Sequence, residues 1–286
     1  MAKTLLAKFL IFLACVTLTL ILVSLWGLYS AIRPVGKTTS LLTPSDFQVE
    51  FESVSLQTSD NLMLDAWFIP NANPKAKAII ILHGYPDNKA SLLSSRLFLH
   101  KDYHLLFLDF RYLGKSGGSY STIGGKEVFD LLAAVEFLTH RGINDIGVWG
   151  FSMGAAVALM SAEQAPQIKA IVAEASYANL EDMLIQYYPT PLLNIPLIHL
   201  TRLWADLFLG VDIQHVSPAD AAAHLEIPVL LIHSTLDDVV PFEQAQILQQ
   251  SLQGNPLSAH LFVQTSHGEL TIPIRQTIES FFKRNL

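Results

Sequence analysis

The sequence predicts an α/β domain with a mostly parallel central sheet and helices on both of its faces. Short, nearly continuous apolar runs recur along the chain, a pattern typical of strands that are buried on both faces. Stretches with the period of amphipathic helices lie between them, and such alternation indicates right-handed βαβ units. The runs cover residues 76–82, 104–110, 147–150, 170–173 and 228–233, and the helical stretches cover residues 126–140, 152–164, 241–252 and 270–282.

Two other segments flank or interrupt this alternation. Residues 47–56 and 62–69 alternate in part between apolar and polar side chains, and the turn residues 58–61 separate them, which predicts an opening hairpin. Residues 184–211 are apolar and rich in proline, and they are too long for a simple crossover. We interpret them as a short helical cap, at about residues 184–215, over the edge of the sheet.

The composition suits one large domain that follows an apolar N-terminus. About 250 of the 286 residues follow the N-terminal segment, which is enough for a single sizeable core. Hydrophobic residues make up 51% of the chain, and 18 basic against 25 acidic residues give a net charge of −7. No basic stripe is present, so a nucleic-acid partner is disfavoured. The only cysteine is Cys15, so the predicted domain has no disulfide or thiolate nucleophile.

The N-terminus predicts a single membrane-spanning helix. The 24 residues from Phe9 to Ile32 carry no charge. As a helix they would extend about 36 Å, enough to cross a hydrocarbon core of about 30 Å. Trp26 and Tyr29 stand near the end of this run, where interfacial aromatic residues are favoured. We therefore expect an anchor at residues 1–34, a linker at 35–46 and the α/β domain at 47–286.

Two alternatives to an uncleaved anchor remain open. A cleaved signal peptide has a shorter apolar region and small residues at its cleavage site, whereas Tyr29 stands two positions before Ala31. A lipoprotein site at Cys15 would need a small residue where Leu13 stands. Lys3 and Lys8 oppose Arg33 and Lys37, a small bias that predicts a cytoplasmic N-terminus and an extracytoplasmic domain.

The strongest functional signal is Gly150-Phe151-Ser152-Met153-Gly154. It follows an apolar strand and precedes a helix that begins with small residues. A serine at such a sharp turn projects its hydroxyl from the end of the sheet, and Gly150 and Gly154 permit the close strand–helix crossing. The helix N-terminus also favours developing negative charge. We predict that Ser152 is a nucleophile.

A serine nucleophile needs a base and a carboxylate that orients the base. His267 lies between the apolar run 261–263 and the last helical stretch, and it is the predicted base. Asp237 and Asp238 follow the strand at 228–233, and we favour Asp237 as the acid. The other histidines lack this placement and are interpreted as surface or structural residues, among them His100, His104, His140, His199, His215, His224 and His260.

His83, Gly84 and Tyr85 follow the strand at 76–82 and predict an oxyanion-binding turn. The backbone N–H groups of Tyr85 and Met153 would bind the developing oxyanion. In this interpretation His83 and Gly84 support the turn, and His83 braces it rather than acting on the substrate.

With these motifs the chain resembles the α/β-hydrolase superfamily over residues 47–286, and within it the small bacterial esterases and serine-aminopeptidase-like hydrolases. The order Ser152, Asp237, His267 is that of the superfamily's nucleophile, acid and base. The loop with Asp109, Arg111 and Gly114 is similar to a structural loop of the family. Tyr112 and Ser234 stand where the family usually has glycine, which leaves the local backbone geometry open.

The resemblance implies acyl transfer to water through an acyl-enzyme, without a metal or an organic cofactor. The apolar cap and the anchor favour a small-molecule or lipid-like ester as substrate, although cap residues that merely bury one another explain the cap equally well. A peptidase, an acyltransferase and a non-catalytic binding protein remain alternatives. The oligomeric state stays open.

Overall fold

A computed structural model describes residues 2–34 and 42–286 of the chain. The strands are β1 (Glu52–Gln57), β2 (Met63–Ile69), β3 (Ala78–Leu82), β4 (His104–Leu108), β5 (Ile146–Phe151), β6 (Ile168–Glu174), β7 (Val229–Ser234) and β8 (Ala259–Val263). The helices are α1 (Ala2–Ile32), α2 (Leu93–Arg96), α3 (Glu127–His140), α4 (Met153–Ser161), α5 (Leu180–Tyr187), α6 (Asn194–Leu209), α7 (Pro218–Ala222), α8 (Phe242–Ser251) and α9 (Ile272–Asn285).

In the described residues these strands form one eight-stranded sheet in the order β1-β2-β4-β3-β5-β6-β7-β8. β1 pairs with β2 and β2 pairs with β4 in antiparallel ladders, and every other neighbouring pair is parallel. The predicted mostly parallel sheet is therefore confirmed. The strands β3, β5, β7 and β8 all end at the same edge of the sheet, and the loops that follow them meet there.

Successive residues of the buried strands pack on opposite faces of the sheet, because side chains alternate along a strand. Ile80 and Leu82 of β3 lie in a core that also contains residues of α3 and α4. Ile79 and Ile81 lie in a second core, together with residues of α9. Every residue of β3 is buried, which explains why its sequence is continuously apolar.

The predicted first strand is wrong in its bounds, because residues 44–47 form a 3₁₀ turn and β1 begins only at Glu52. The Asp46 carboxylate accepts hydrogen bonds from the backbone N–H (2.7 Å) and the hydroxyl (2.9 Å) of Thr43. This local capping fixes a turn whose last residue, Phe47, is the first residue of the predicted strand. Of the predicted linker, residues 35–41 lie outside the described residues.

The stretch interpreted as a cap contains the end of α5 and all of α6. α6 packs beside the C-terminal half of α1, where the indole N–H of Trp204 donates a hydrogen bond to Ser24 Oγ at 2.9 Å. Gly27 of α1 lies against Tyr188, and a Cβ at Gly27 would lie 2.2 Å from the phenol oxygen of Tyr188. The last turns of α1 are thus part of the folded domain rather than a free extension of it.

Candidate active site

Ser152 occupies a strained turn between β5 and α4. Its φ of 53° and ψ of −118° are unfavourable for a residue with a side chain, so neighbouring contacts must hold the conformation. One of these contacts is the hydrogen bond from the Ser152 backbone N–H to the Glu174 carbonyl oxygen at 2.8 Å. The turn brings Ser152 to the edge of the sheet where the parallel strands end.

The two glycines that flank Ser152 leave no room for a side chain. A Cβ at Gly150 would lie 2.2 Å from the carbonyl oxygen of Gly154. A Cβ at Gly154 would lie 2.6 Å from the carbonyl oxygen of Leu82. Backbone atoms cannot move away as a flexible side chain can, so the close crossing of α4 over β5 and β3 requires both glycines.

Asp237 and His267 meet at this edge. His267 Nδ1 lies 2.7 Å from Asp237 Oδ2. The other carboxylate oxygen of Asp237 accepts the backbone N–H groups of Val239 at 2.9 Å and Val240 at 2.8 Å. Because an ionised carboxylate only accepts hydrogen bonds, His267 Nδ1 carries a proton, and in the neutral ring Nε2 is then the acceptor.

The pKa of Asp237 lies below its ordinary value. Burial by itself would raise this pKa, but the hydrogen bonds from His267 and from the N–H groups of Val240 and Val239 outweigh burial. The neighbouring Asp238 is exposed. The two adjacent carboxylates therefore have different environments, and the structure brings Asp237, not Asp238, to the histidine.

The loop of His267 packs against the residue that precedes the serine. The ring centroids of His267 and Phe151 are 4.9 Å apart. Gly268 has a left-handed φ of 71°, and a Cβ there would lie 2.5 Å from the Phe151 ring. In the described part of the chain, no hydrogen bond joins Ser152 Oγ to His267. The geometry thus pairs Asp237 with His267 and sets the pair beside the serine turn.

His83 braces the turn that precedes Tyr85. Its Nε2 accepts the backbone N–H of Phe110 at 3.1 Å, and its Nδ1 donates to the Gly84 carbonyl oxygen at 2.7 Å. Burial lowers the pKa of His83, and a neutral ring is also what these two bonds require. A Cβ at Gly84 would lie 3.1 Å from the Cβ of Ser152, so this turn adjoins the serine.

The Tyr85 side chain reaches away from the serine turn to α1, where its hydroxyl donates a hydrogen bond to the carbonyl oxygen of Ala31. As the first residue of α4, Met153 has a backbone N–H without an intrahelical partner. The sequence-predicted oxyanion residues therefore lie on two turns that both adjoin Ser152.

Ser234 is a residue whose role the sequence did not reveal. Its hydroxyl donates to the Thr265 carbonyl oxygen at 2.5 Å and accepts the backbone N–H groups of Thr265 and Leu236 at 3.1 and 3.0 Å. One side chain thus ties the loop of Asp237 to the loop of His267. The serine in place of the family's usual glycine was the only sequence signal for this role. The sequence could not show what the serine does, because its partner, Thr265, lies 31 residues further along the chain.

A buried charged cluster lies next to the serine turn. Sequence reasoning did not predict this cluster. The Arg96 guanidinium lies 2.7 Å from the Glu174 carboxylate and 3.9 Å above the centre of the Trp149 ring. The Trp149 indole N–H donates to the same carboxylate at 2.9 Å. Because the Glu174 carbonyl oxygen accepts the N–H of Ser152, this cluster holds the strand end on which the turn depends.

Tyr112 is the second residue that stands where the family usually has glycine. Its φ of 66° is left-handed, which is the conformation that glycine adopts without strain. Its backbone N–H donates to the Gly117 carbonyl oxygen at 2.6 Å, and this contact closes the loop despite the side chain. The loop also contains Asp109, which binds the backbone N–H groups of Lys89 at 2.7 Å and Lys115 at 2.9 Å.

Comparisons with known proteins agree with this fold. A profile of the prolyl oligopeptidase family matches residues 90–286. The chain is 26% identical to protein bem46 of Schizosaccharomyces pombe, over 84% of this chain and 79% of that protein. It is 25% identical to the lysophosphatidylserine lipase ABHD12 of Danio rerio, over 68% of this chain but only 52% of that protein.

Solved structures are similar over most of the domain. The Pyrococcus furiosus esterase Pf2001 has a TM-score of 0.71 and 27% identity, and the match covers 87% of this chain and 98% of the esterase. The Pyrococcus horikoshii acylaminoacyl peptidase has a TM-score of 0.60 and 22% identity, covering 83% of this chain and 42% of the peptidase. The latter likeness concerns the fold alone.

Proposed function

Because the chain belongs to the prolyl oligopeptidase family of α/β-hydrolase enzymes, we propose that Ser152, Asp237 and His267 are its catalytic triad. The observation that carries this proposal is the 2.7 Å contact between Asp237 and His267, at the sheet edge where Ser152 adopts its strained turn. The enzyme is a serine hydrolase, and we propose carboxylic esters as its substrates.

In the proposed reaction, His267 Nε2 takes the proton of Ser152 Oγ as this oxygen attacks the ester carbonyl carbon. The backbone N–H groups of Tyr85 and Met153 stabilise the oxyanion. His267 then gives the proton to the leaving alkoxide, and the C–O bond breaks to leave an acyl-enzyme. A water molecule repeats the sequence and releases the acid and free Ser152.

Asp237 stabilises the imidazolium that forms in both steps and fixes the tautomer of His267. Its lowered pKa keeps the carboxylate ionised at neutral pH, as this role requires. Ser234 holds the two loops together, and His83 keeps the oxyanion turn in shape. We infer that neither residue contacts the substrate.

We propose a lipid-like or acylated ester as the substrate class. Residues of α5 and α6 share a buried apolar cluster with Ala156 of α4 and with Val240, which binds Asp237 through its N–H. ABHD12, a relative, is a lipase by name. A peptide substrate is the second candidate, favoured by the match to a peptidase family.

We also propose that α1 anchors the enzyme in a membrane, with the catalytic domain outside the cytoplasm. An 18-residue window within α1 has a mean hydropathy of 2.6, and the helix is long enough to span a bilayer, although a signal sequence near the N-terminus would share these properties. A reporter fused after Leu286 tests the orientation. Activity of that reporter only in the cytoplasm would contradict the proposed orientation.

The catalytic proposal is tested with the full chain in detergent micelles, by hydrolysis of p-nitrophenyl esters of increasing acyl length. We expect Ser152→Ala to abolish hydrolysis and covalent labelling by a fluorophosphonate. Wild-type protein that is inert to esters but labelled at Ser152 would favour the peptidase. Wild type and variant that are equally inert and unlabelled would refute the triad.

A further inference from the structure

α1 and α6 run parallel and side by side. Leu20 of α1 packs with the buried cluster of Leu197 and Ile198, near the start of α6. Twelve residues further along α1, Ile32 packs in a cluster with Leu209, the last residue of α6. The two helices therefore keep the same direction over about three turns.

This alignment sets the depth of α6 if α1 spans a bilayer. Leu20 stands near the middle of the uncharged run from Phe9 to Ile32. At about 1.5 Å per residue it is roughly 16 Å from Phe9 and roughly 18 Å from Ile32. The start of α6 would then lie near the middle of the hydrocarbon core, and its end near the surface on the side of the catalytic domain.

The surface of α6 fits such a position. Leu203, Leu207 and Phe208 are exposed to 53%, 65% and 60%, and Leu192 in the preceding loop is exposed to 92%. On α1, Trp26 is exposed to 68%. Large apolar side chains that adjoin across two helices form a continuous patch, and patches of this kind mark interaction surfaces.

The polar side chains of α6 lie on another side. At 100° per residue, His199, Arg202 and Asp206 point about 140° to 160° away from Trp204, which contacts α1. The Arg202 guanidinium also lies 2.9 Å from the Glu181 carboxylate, so its charge is paired. An apolar face beside the anchor and a polar face on the far side are what a helix at the boundary between lipid and protein requires.

A groove of about 690 Å³ separates α1 from the end of α6. Leu22, Trp26 and Phe208 line its apolar part, and Arg33 stands at its end. The shape and lining suit an acyl chain whose anionic headgroup lies near the guanidinium. Phe208, which lines the groove, is also one of the exposed residues of α6.

We infer that α6 is inserted in one leaflet of a phospholipid bilayer, alongside the C-terminal half of α1. The end of α1 adjoins the site, because the Tyr85 hydroxyl donates a hydrogen bond to the Ala31 carbonyl oxygen. The Ser121 backbone N–H also donates to the Ile32 carbonyl oxygen at 3.0 Å. This inference rests on the proposed membrane anchor.

Single-cysteine labelling in the full chain tests this inference, since Cys15 is the only native cysteine and is exposed on α1. A polarity-sensitive fluorophore is attached to Cys15, or to Leu207→Cys or Asp206→Cys in a Cys15→Ser background. The proteins are reconstituted in phosphatidylcholine vesicles that contain nitroxide-labelled lipids. Positions 206 and 207 are neighbours on α6 and serve as a matched pair. Position 206 lies on the polar face of the helix, and position 207 lies on its exposed apolar face.

We expect nitroxide lipids to quench the fluorophore at positions 15 and 207 at least about threefold more than at position 206. Equal, water-like signals at 206 and 207, with position 15 still quenched, would overturn the insertion of α6 and leave the anchor intact. Water-like signals at all three positions would refute the anchor and the insertion together. Fluorophosphonate labelling of Ser152 in each sample reports separately on the fold and the hydrolase activity.

Discussion

At the scale of single residues, the site depends on which of two adjacent carboxylates reaches the histidine. Asp237 accepts three hydrogen bonds, from His267 and from the N–H groups of Val239 and Val240. Asp238 is exposed. Adjacent side chains cannot both point to one partner, so backbone hydrogen bonding to Asp237 selects the one that faces inward.

We expect Asp237→Asn to lower kcat for an ester by about 10³-fold or more, because an amide cannot hold the His267 tautomer or stabilise its charge. Asp238→Asn is the matched control and is expected to stay within about twofold of wild type, as exposed substitutions usually do. Steady-state kinetics of the three proteins decide this. Equal losses in both variants would contradict the assignment of Asp237.

Ser234 offers a second test at the same scale. Ser234→Ala removes the hydroxyl that ties the Asp237 loop to the Thr265 backbone, and we expect kcat to fall about tenfold through loss of alignment. KM for a short ester should change little, since the Ser234 hydroxyl is occupied by the backbone of Thr265 and Leu236. Ser234→Thr retains the hydroxyl and should recover most of the activity. A threonine variant as impaired as the alanine variant would argue against this positioning role.

At the scale of elements, the crossing of α4 over β5 decides whether the serine turn can form. The turn combines a left-handed residue with two glycines that leave no space for a Cβ. The Arg96–Glu174 pair and the Trp149 indole hold the adjacent end of β6. The strain at Ser152 therefore persists because packing on every side prevents its relaxation.

Gly150→Ala should lower the free energy of unfolding by about 3 kcal/mol or more, because the new Cβ meets the Gly154 carbonyl oxygen. Gly254→Ala is the control, since a Cβ at Gly254 meets nothing within 4 Å and is expected to change stability by less than about 0.5 kcal/mol. Thermal unfolding in detergent compares the two. A Gly150 variant as stable as wild type would show that the crossing is more adaptable than the structure indicates.

At the scale of the whole molecule, the described chain is an α/β domain against which the end of an apolar helix is packed. α1 contacts α6 through Ser24 and Trp204 and reaches the turn of Tyr85 at Ala31. Contacts of this kind connect the proposed anchor with the proposed cap and with the proposed oxyanion turn. Removal of the helix is therefore expected to affect the site as well as the location of the enzyme.

Stability is expected to fall in mild acid, because the pKa values of His83, His104 and His233 are lowered, mainly by burial. Their folded-state pKa values lie below the ordinary value of about 6.5, so the unfolded chain binds more protons below that pH. The stability they contribute is present above about pH 6.5 and is lost as the pH falls towards their folded-state pKa values.

Thermal unfolding in detergent at pH 7.5 and 5.5 measures this effect. We expect a lower midpoint at pH 5.5, with a smaller difference between the two pH values in His233→Asn, which lacks one of the three buried imidazoles. An unchanged pH difference in this variant would exclude His233 as a contributor.

The sequence by itself determined the fold class, the enzyme class and the serine turn, because strand and helix periodicity and turn glycines are local features of the chain. The family and the mostly parallel sheet are confirmed, whereas the roles of Ser152, Asp237 and His267 stay predictions. Only the tertiary structure decided the sheet order, the bond from Ser234 to Thr265 and the contact of α1 with α6. Each of these joins residues that are distant in the chain, and their meeting depends on how the elements pack.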